Sequence, residues 1–224
     1  MNYLDSTTET RWKYDRRQVR FLMLAFCAMT IFHWTDQAMA IEEPQYTIAL
    51  SEDIFEVRDY STRIVAETSV TSSFEKAGTR SFDRLFGYIS GDNALQQKIS
   101  MTAPVSQNAC HDATDKNVAT GTDAEIECWR LSFTMPSGHT MGSLPDPTDP
   151  DVGLRMLPPA RYAVIRYSGF WSESAFQRHK ERLESWISRQ NLTVAGDATW
   201  ARYNSPFTPW FLRRNEILIP ISGT

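Results

Sequence analysis

The chain has 224 residues, 42% of them hydrophobic and 22% charged, with a formal net charge of −4. These proportions describe a globular chain with enough apolar mass for one ordinary domain. The acidic balance, without a long run of either sign, argues against a general nucleic-acid binder, because phosphate binding needs a positive surplus on at least one face.

In chain order, residues 1–40 have the pattern of an export signal rather than of folded structure. Arg16, Arg17 and Arg20 precede an apolar run from Phe21 to Trp34, interrupted only by Thr30 and His33. Ala38-Met39-Ala40 then supplies the small-x-small pattern of a cleavage site. The run is about 14 residues, shorter than the roughly 20 that span a bilayer permanently. The expectation is cleavage after Ala40 and an exported protein, periplasmic or extracellular, without a permanent membrane span. The alternative is an uncleaved N-terminal anchor, and the Arg16-Arg17 pair leaves general and twin-arginine export both open.

The remainder, 41–224, carries 18 Lys and Arg against 23 Asp and Glu and reads as a single domain. Residues 55–70 alternate as strands, with Tyr60-Ser61 between two runs. Phe74, Ala77, Phe82, Leu85, Phe86 and Ile89 then recur at helical spacing, with Ser72 or Ser73 to cap the start and Gly91 to end it. Residues 98–102 alternate again, and 128–135 read as a strand with Trp129, Leu131, Phe133 and Met135 on one face. After a proline- and glycine-rich linker at about 136–151, the order repeats. Strands are expected at 152–157 and 162–167, a helix capped by Ser172 carries Phe176, Leu183, Trp186 and Ile187, and strands at 200–203 and 217–221 close the chain.

The two helices start about 99 residues apart, and Met101-Thr-Ala-Pro104 falls against Tyr203-Asn-Ser-Pro206 at an offset of 102. A ββαββ unit thus occurs twice, in halves at about 46–136 and 152–222. Neither half can bury its own apolar surface. The expected fold is therefore α+β: a distorted, mainly antiparallel β-barrel with two helices and a pseudo-two-fold repeat. The polar stretch 106–127 lengthens the first half's last hairpin and is bracketed by Cys110 and Cys128. Two cysteines in an exported domain, at a spacing that fits neither zinc nor a CxxC motif, predict a disulfide staple.

Four stretches resemble the SOUL haem-binding family: Phe55-Glu-Val-Arg-Asp-Tyr60; Phe82-Asp-Arg-Leu-Phe-Gly-Tyr-Ile-Ser-Gly-Asp-Asn93; Lys98-Ile-Ser-Met-Thr-Ala-Pro-Val105; and Arg213-Arg-Asn-Glu-Ile-Leu-Ile219. The resemblance covers residues 46–222 and implies a shallow apolar groove for haem or another porphyrin, between the first helix and the loop before the last strand. Carried onto this chain, it implies Phe82, Phe86, Tyr88, Phe207, Trp210 and Phe211 as faces for the plate. Arg80, Arg84 and Arg213 are the cations implied for the propionates.

None of His111, His139 and His179 falls in the matched groove segments, so the iron ligand, if one exists, is unassigned. The implied function is a non-catalytic carrier, scavenger or buffer of a small-molecule tetrapyrrole. Two alternatives stay open. One is a dechelatase-like enzyme, for which the chain shows no nucleophile–base pair or metal-spaced histidines. The other is an effector-binding barrel for drug-like cations, which needs a buried acid, and Glu216 is the candidate near a matched segment.

Overall fold

The computed structural model describes residues 41–110 and 127–222. The expected signal segment, 1–40, and most of the insertion, including His111, lie outside the described residues. The strands are β1 (Tyr46–Glu52), β2 (Phe55–Tyr60), β3 (Arg63–Ser72), β4 (Val105–Ala109), β5 (Glu127–Thr134), β6 (Gly153–Leu157), β7 (Ala160–Tyr167), β8 (Thr193–Val194), β9 (Thr199–Arg202) and β10 (Asn215–Ser222). Helix α1 spans Phe74–Ser90 and α2 spans Glu173–Arg189. Trp210–Leu212 forms a 3₁₀ turn.

The strands make one antiparallel sheet in the order β1-β2-β7-β10-β9-β4-β5-β3-β6, with β8 pairing β10. If β1 and β8 are set aside, exchanging the halves (β2, β3, β4, β5 for β6, β7, β9, β10) returns the same order reversed. The duplicated unit is therefore a pseudo-two-fold, with its axis between β4 and β9. Each half also lends its first strand to the other: β2 pairs β7, and β6 pairs β3. Arg161–Asp59 at 2.7 Å and Arg155–Glu67 at 2.7 Å tie these two exchanged edges. Because β1 and β6 end the order without pairing to each other, the sheet is strongly crossed but open, and "barrel" describes it only loosely.

Burial follows the two periodicities of strand and helix. Phe74, Ala77, Ser81, Leu85, Tyr88 and Ile89 of α1 are buried, as are Phe176, Leu183, Trp186 and Ile187 of α2. The first half's core sets Leu85, Tyr88 and Ile89 on Ala66, Leu131, Phe133 and Met135. A larger core gathers Phe74, Trp129, Phe176, Trp186, Trp200 and Ile217 from both halves. Each such side chain contributes about 1.5–3 kcal/mol through burial. Phe74 sits where they meet, with its ring 4.9 Å from Trp200, 5.0 Å from Trp129 and 5.4 Å from Phe176.

Three local expectations change. Residues 98–102 do not form a strand. Ile99 is buried and donates to the Ile89 carbonyl at 2.8 Å, so this segment completes the end of α1, and the ladder begins at Val105. Strand β1, whose residues after Tyr46 are exposed, pairs along the edge of β2, where no alternating apolar pattern marked it. Phe86, placed on the apolar side of α1 by spacing, is 49% exposed. Both helix starts lie as expected, but only Ser172 caps with its side chain, accepting from the Ala175 N–H at 3.3 Å. Gly91 ends α1 at φ +127°, a conformation that glycine adopts without steric cost. The expected staple is present: Cys110 and Cys128 are bonded, with Cα atoms 5.2 Å apart.

Candidate functional site

A groove of about 380 Å³ opens between the N-terminal half of α1 and the segment after β9. Its walls include Phe74, Phe82, Val105, Trp171 and Trp200, and Pro206 stands at one edge. Such a volume with largely apolar walls is typical of a small-molecule site. It lies between the elements the resemblance implied, but one to two turns nearer the start of α1.

Two residues of the closing Arg-Arg-Asn-Glu run, Arg213 and Asn215, brace this groove without lining it. Asn215 is fully buried; its Oδ1 accepts from the Trp171 indole at 2.8 Å, and its amide donates to the Gly169 carbonyl at 3.2 Å. Trp171 is thereby held in place as a wall. Arg213 donates to the Thr208 and Pro206 carbonyls, each at 2.8 Å, and lies 4.4 Å from the Trp171 ring centre. The arginine therefore pins the loop rather than presenting a free cation. Glu216 belongs to the opposite face of the sheet, where Arg58, Arg214 and Tyr203 enclose it.

Arg202, the last residue of β9, reaches the groove from below. Its guanidinium carbon is 4.8 Å from the Trp200 ring centre and 5.4 Å from that of Trp171. One long hydrogen bond, 3.4 Å from Nη2, reaches Oε1 of Gln107. Gln107 is itself fixed by donating to the Phe74 carbonyl at 2.9 Å. The buried Nε of Arg202 has no partner, and among the described residues no carboxylate forms an ion pair with it. Burial lowers its pKa to about 10, which leaves it charged at neutral pH. Gly78 makes room for it: a Cβ there would lie 3.0 Å from Nη1.

The residues implied by resemblance separate into three groups. Phe82 lines the groove and stacks on Phe86, ring centres 5.7 Å apart. Phe207, Trp210 and Phe211 form an exposed aromatic step following Pro206 in the chain; Trp210 stacks on Phe170 at 5.2 Å, and Phe207 is 93% exposed. Tyr88, Arg80 and Arg84 point elsewhere. Tyr88 is buried in the core and donates to the Pro145 carbonyl at 3.0 Å; burial pushes its hydroxyl up to about 12. Arg80 and Arg84 line a separate shallow depression on the far side of α1, and Arg84 pairs with Asp151 at 2.9 Å. The reason is helical geometry: at 3.6 residues per turn, 80 and 84 fall on the side of α1 roughly opposite 78 and 82, and 88 turns back to the core side with Ala77, Ser81 and Leu85.

Phe74, Gly78, Trp171, Trp200 and Arg202 are among the groove residues that motif matching missed. A glycine inside an amphipathic helix costs about 1 kcal/mol relative to alanine, so Gly78, like Gly87 later in α1, was a visible signal.

Among the described residues no cluster of three or more His, Cys, Asp or Glu is arranged to hold a metal. The groove lining contains no His, Met, Cys or Tyr. His179 stacks on Tyr167 at 3.8 Å. His139, read from sequence as a solvated linker residue, lines a different cavity of about 430 Å³ with Arg63, Met135, Met141 and Met156. The groove therefore offers aromatic walls and one guanidinium, with no His, Met, Cys or Tyr side chain in its lining.

No helix among the described residues is long and apolar enough to cross a membrane. The open sheet with two helices is similar to the EcmrR C-terminal domain (TM-score 0.54, 10% identity, covering 80% of this chain and 99% of that one). It is also similar to a hydrolase from Listeria innocua (TM-score 0.51, 11% identity, covering 78% and 94%). At such identities the likeness is one of fold. Heme-binding protein 2 of mouse is 27% identical over 174 residues, and that of human is 28% identical over 174 residues; each alignment covers 72% of this chain and 79% of the relative. Residues 41–220 match the family described as SOUL heme-binding protein, and the chain belongs to that family.

Proposed function

We propose that this protein binds haem or a related porphyrin in the groove between α1 and the segment after β9, and carries or buffers it outside the cytoplasm without transforming it. The observation that carries this reading is the set of aromatic walls, Phe74, Phe82, Trp171 and Trp200, around an open groove in a chain of this family. A macrocycle gains by laying an apolar face on such walls, and the walls are held by the core and by Asn215, so little ordering is needed on binding. The export pattern of residues 1–40 supports carriage or scavenging over a role in synthesis.

With no iron ligand in the lining, the plate is held by its faces, and metal-free porphyrin binds as well as haem. Titration of haem and of protoporphyrin IX into the purified protein tests this. The expected result is saturable tryptophan quenching by both at micromolar concentration, with affinities within about tenfold of each other. Trp171→Ala weakens both. Absence of saturation at micromolar ligand sinks the tetrapyrrole reading, and release of iron from bound haem on incubation replaces it with a dechelatase.

A further inference from the structure

Among the described residues, Arg202 is a guanidinium set in an aromatic groove without a carboxylate partner. Arg58 and Arg214 are matched to Glu216 and Arg161 to Asp59, whereas the half-buried Arg63 lies over the Tyr60 and Tyr162 rings beside a different cavity. Buried charge without a counter-ion is costly, and the usual resolution is an ion pair or full hydrogen bonding. Here the chain supplies one long bond to a neutral amide and two indole faces.

The groove contains two acids, Glu75 and Asp83, both exposed at its rim. The Glu75 carboxylate is turned toward the start of α2, accepting from the Glu173 N–H at 3.4 Å. Arg213, over the same Trp171 ring as Arg202, adds a second positive charge nearby. The space next to Arg202 is kept open by Gly78, at the expense of helix propensity.

We propose that Arg202 makes this groove selective for flat apolar ligands that carry a carboxylate, which docks on the guanidinium beside Trp171 and Trp200 while the rest of the ligand lies along the wall formed by Phe74 and Phe82. This deepens the tetrapyrrole reading, on which it rests for its first class of ligand, the propionate-bearing porphyrins. A charge-assisted, two-pronged bond to a carboxylate uses the planar fork that lysine lacks. The chemistry extends to other planar aromatic acids, so the source of the carboxylate is decided by experiment.

The test compares acid and neutral forms of the same flat body, using the wild-type protein, R202Q and R202K. Protoporphyrin IX is paired with its dimethyl ester, and pyrenebutyrate with pyrenebutanol, all titrated by fluorescence in one detergent-containing buffer. Wild type binds each acid at least about tenfold more tightly than its neutral partner. R202Q loses that preference by weakening only the acids, and unchanged binding of the neutral forms shows the groove intact. R202K keeps part of it. Equal binding of acid and neutral forms by wild type overturns the proposal, whatever the variants do, and leaves the tetrapyrrole reading standing. Preference for pyrenebutyrate with no porphyrin binding does the reverse: selectivity for the carboxylate holds and the tetrapyrrole reading falls. A preference that survives in R202Q assigns the anion to another residue and overturns the role of Arg202.

Discussion

Arg58 of β2 grips Glu216 of β10 with both terminal nitrogens, at 2.7 and 3.1 Å, across the β7 strand that separates them in the sheet. Glu216 has no solvent exposure, and its oxygens also accept from Arg214 Nε at 2.9 Å and the Tyr203 hydroxyl at 2.8 Å. Two donors to each oxygen use the carboxylate's full capacity. Glu216, the one buried acid among the described residues, is therefore consumed within the fold, on the face of the sheet opposite the helices.

Removing one partner leaves a buried charge only partly compensated, Glu216 by Arg214 or Arg58 by Glu56, so the cost falls toward the lower end of the about 3–5 kcal/mol of a fully orphaned charge. Arg58→Met and Glu216→Leu are each expected to lower the melting midpoint by on the order of 10 °C. The double variant is expected to recover much of that loss, because no lone charge remains buried. Thermal unfolding of the three variants checks this; simple additivity would show that the pair is not coupled.

Acidification is expected to destabilise the fold in two stages. His179, packed against Tyr167, is lowered to about 4, first by burial and then by Arg182 and Arg178. The unfolded chain takes up that proton at a higher pH than the folded one, so stability falls as pH drops from about 6.5 toward 4. Burial would raise Glu216, but the bonds and charges of Arg58 and Arg214, with the Tyr203 bond, outweigh it and hold the carboxyl below its ordinary value. Its contribution is full above the unfolded carboxylate pKa and is lost as pH falls through the folded one. Denaturant midpoints at pH 7, 5.5 and 4 are expected to decline in wild type, with a shallower fall from pH 7 to 5.5 in His179→Phe.

The Cys110–Cys128 bridge closes the insertion at the end of the β4–β5 hairpin, across a separation of 18 residues. On chain entropy a loop of this length contributes about 3 kcal/mol. The paired Cys110→Ser, Cys128→Ser variant is expected to lose stability on that scale and to retain ligand binding, because neither cysteine lines the groove. Chemical denaturation measures the first and porphyrin quenching the second.

Gly78 offers a way to close the groove without substituting Arg202. A leucine there would project toward Arg202 and Gln107, which a first side-chain carbon already meets at 3.0–3.4 Å. Porphyrin affinity in Gly78→Leu is expected to fall at least about tenfold. Leucine is the better helix former by roughly 0.8–1 kcal/mol, so helical circular dichroism is expected to persist. A wild-type affinity in this variant would place the ligand elsewhere.

The motifs pointed to the right elements for different reasons. In Gly91-Asp-Asn93 the asparagine is a structural clamp, donating to the Tyr88 and Gln97 carbonyls and accepting from the Leu95 and Gln97 N–H groups. Arg213 and Asn215 bear on the groove through the loop and Trp171, whereas Arg214 and Glu216 stabilise the far face of the sheet. Tyr88 shared a motif with groove-side residues and lies in the core, because a run of letters along a helix does not state which way each one faces.

The cysteine count predicted the disulfide and the offset near 100 the duplication, while periodicity and turn residues determined both helices and most of the strands. These are local properties: alternation, amphipathic spacing and capping act within a few residues of chain. The exchange of first strands between halves depends on hydrogen bonds between residues about a hundred positions apart, so only the tertiary structure decided it. It decided the groove in the same way. Gly78, Trp171 and the β9 pair Trp200 and Arg202 come from three different segments, and no single stretch records that a helical glycine leaves room for a guanidinium on a distant strand.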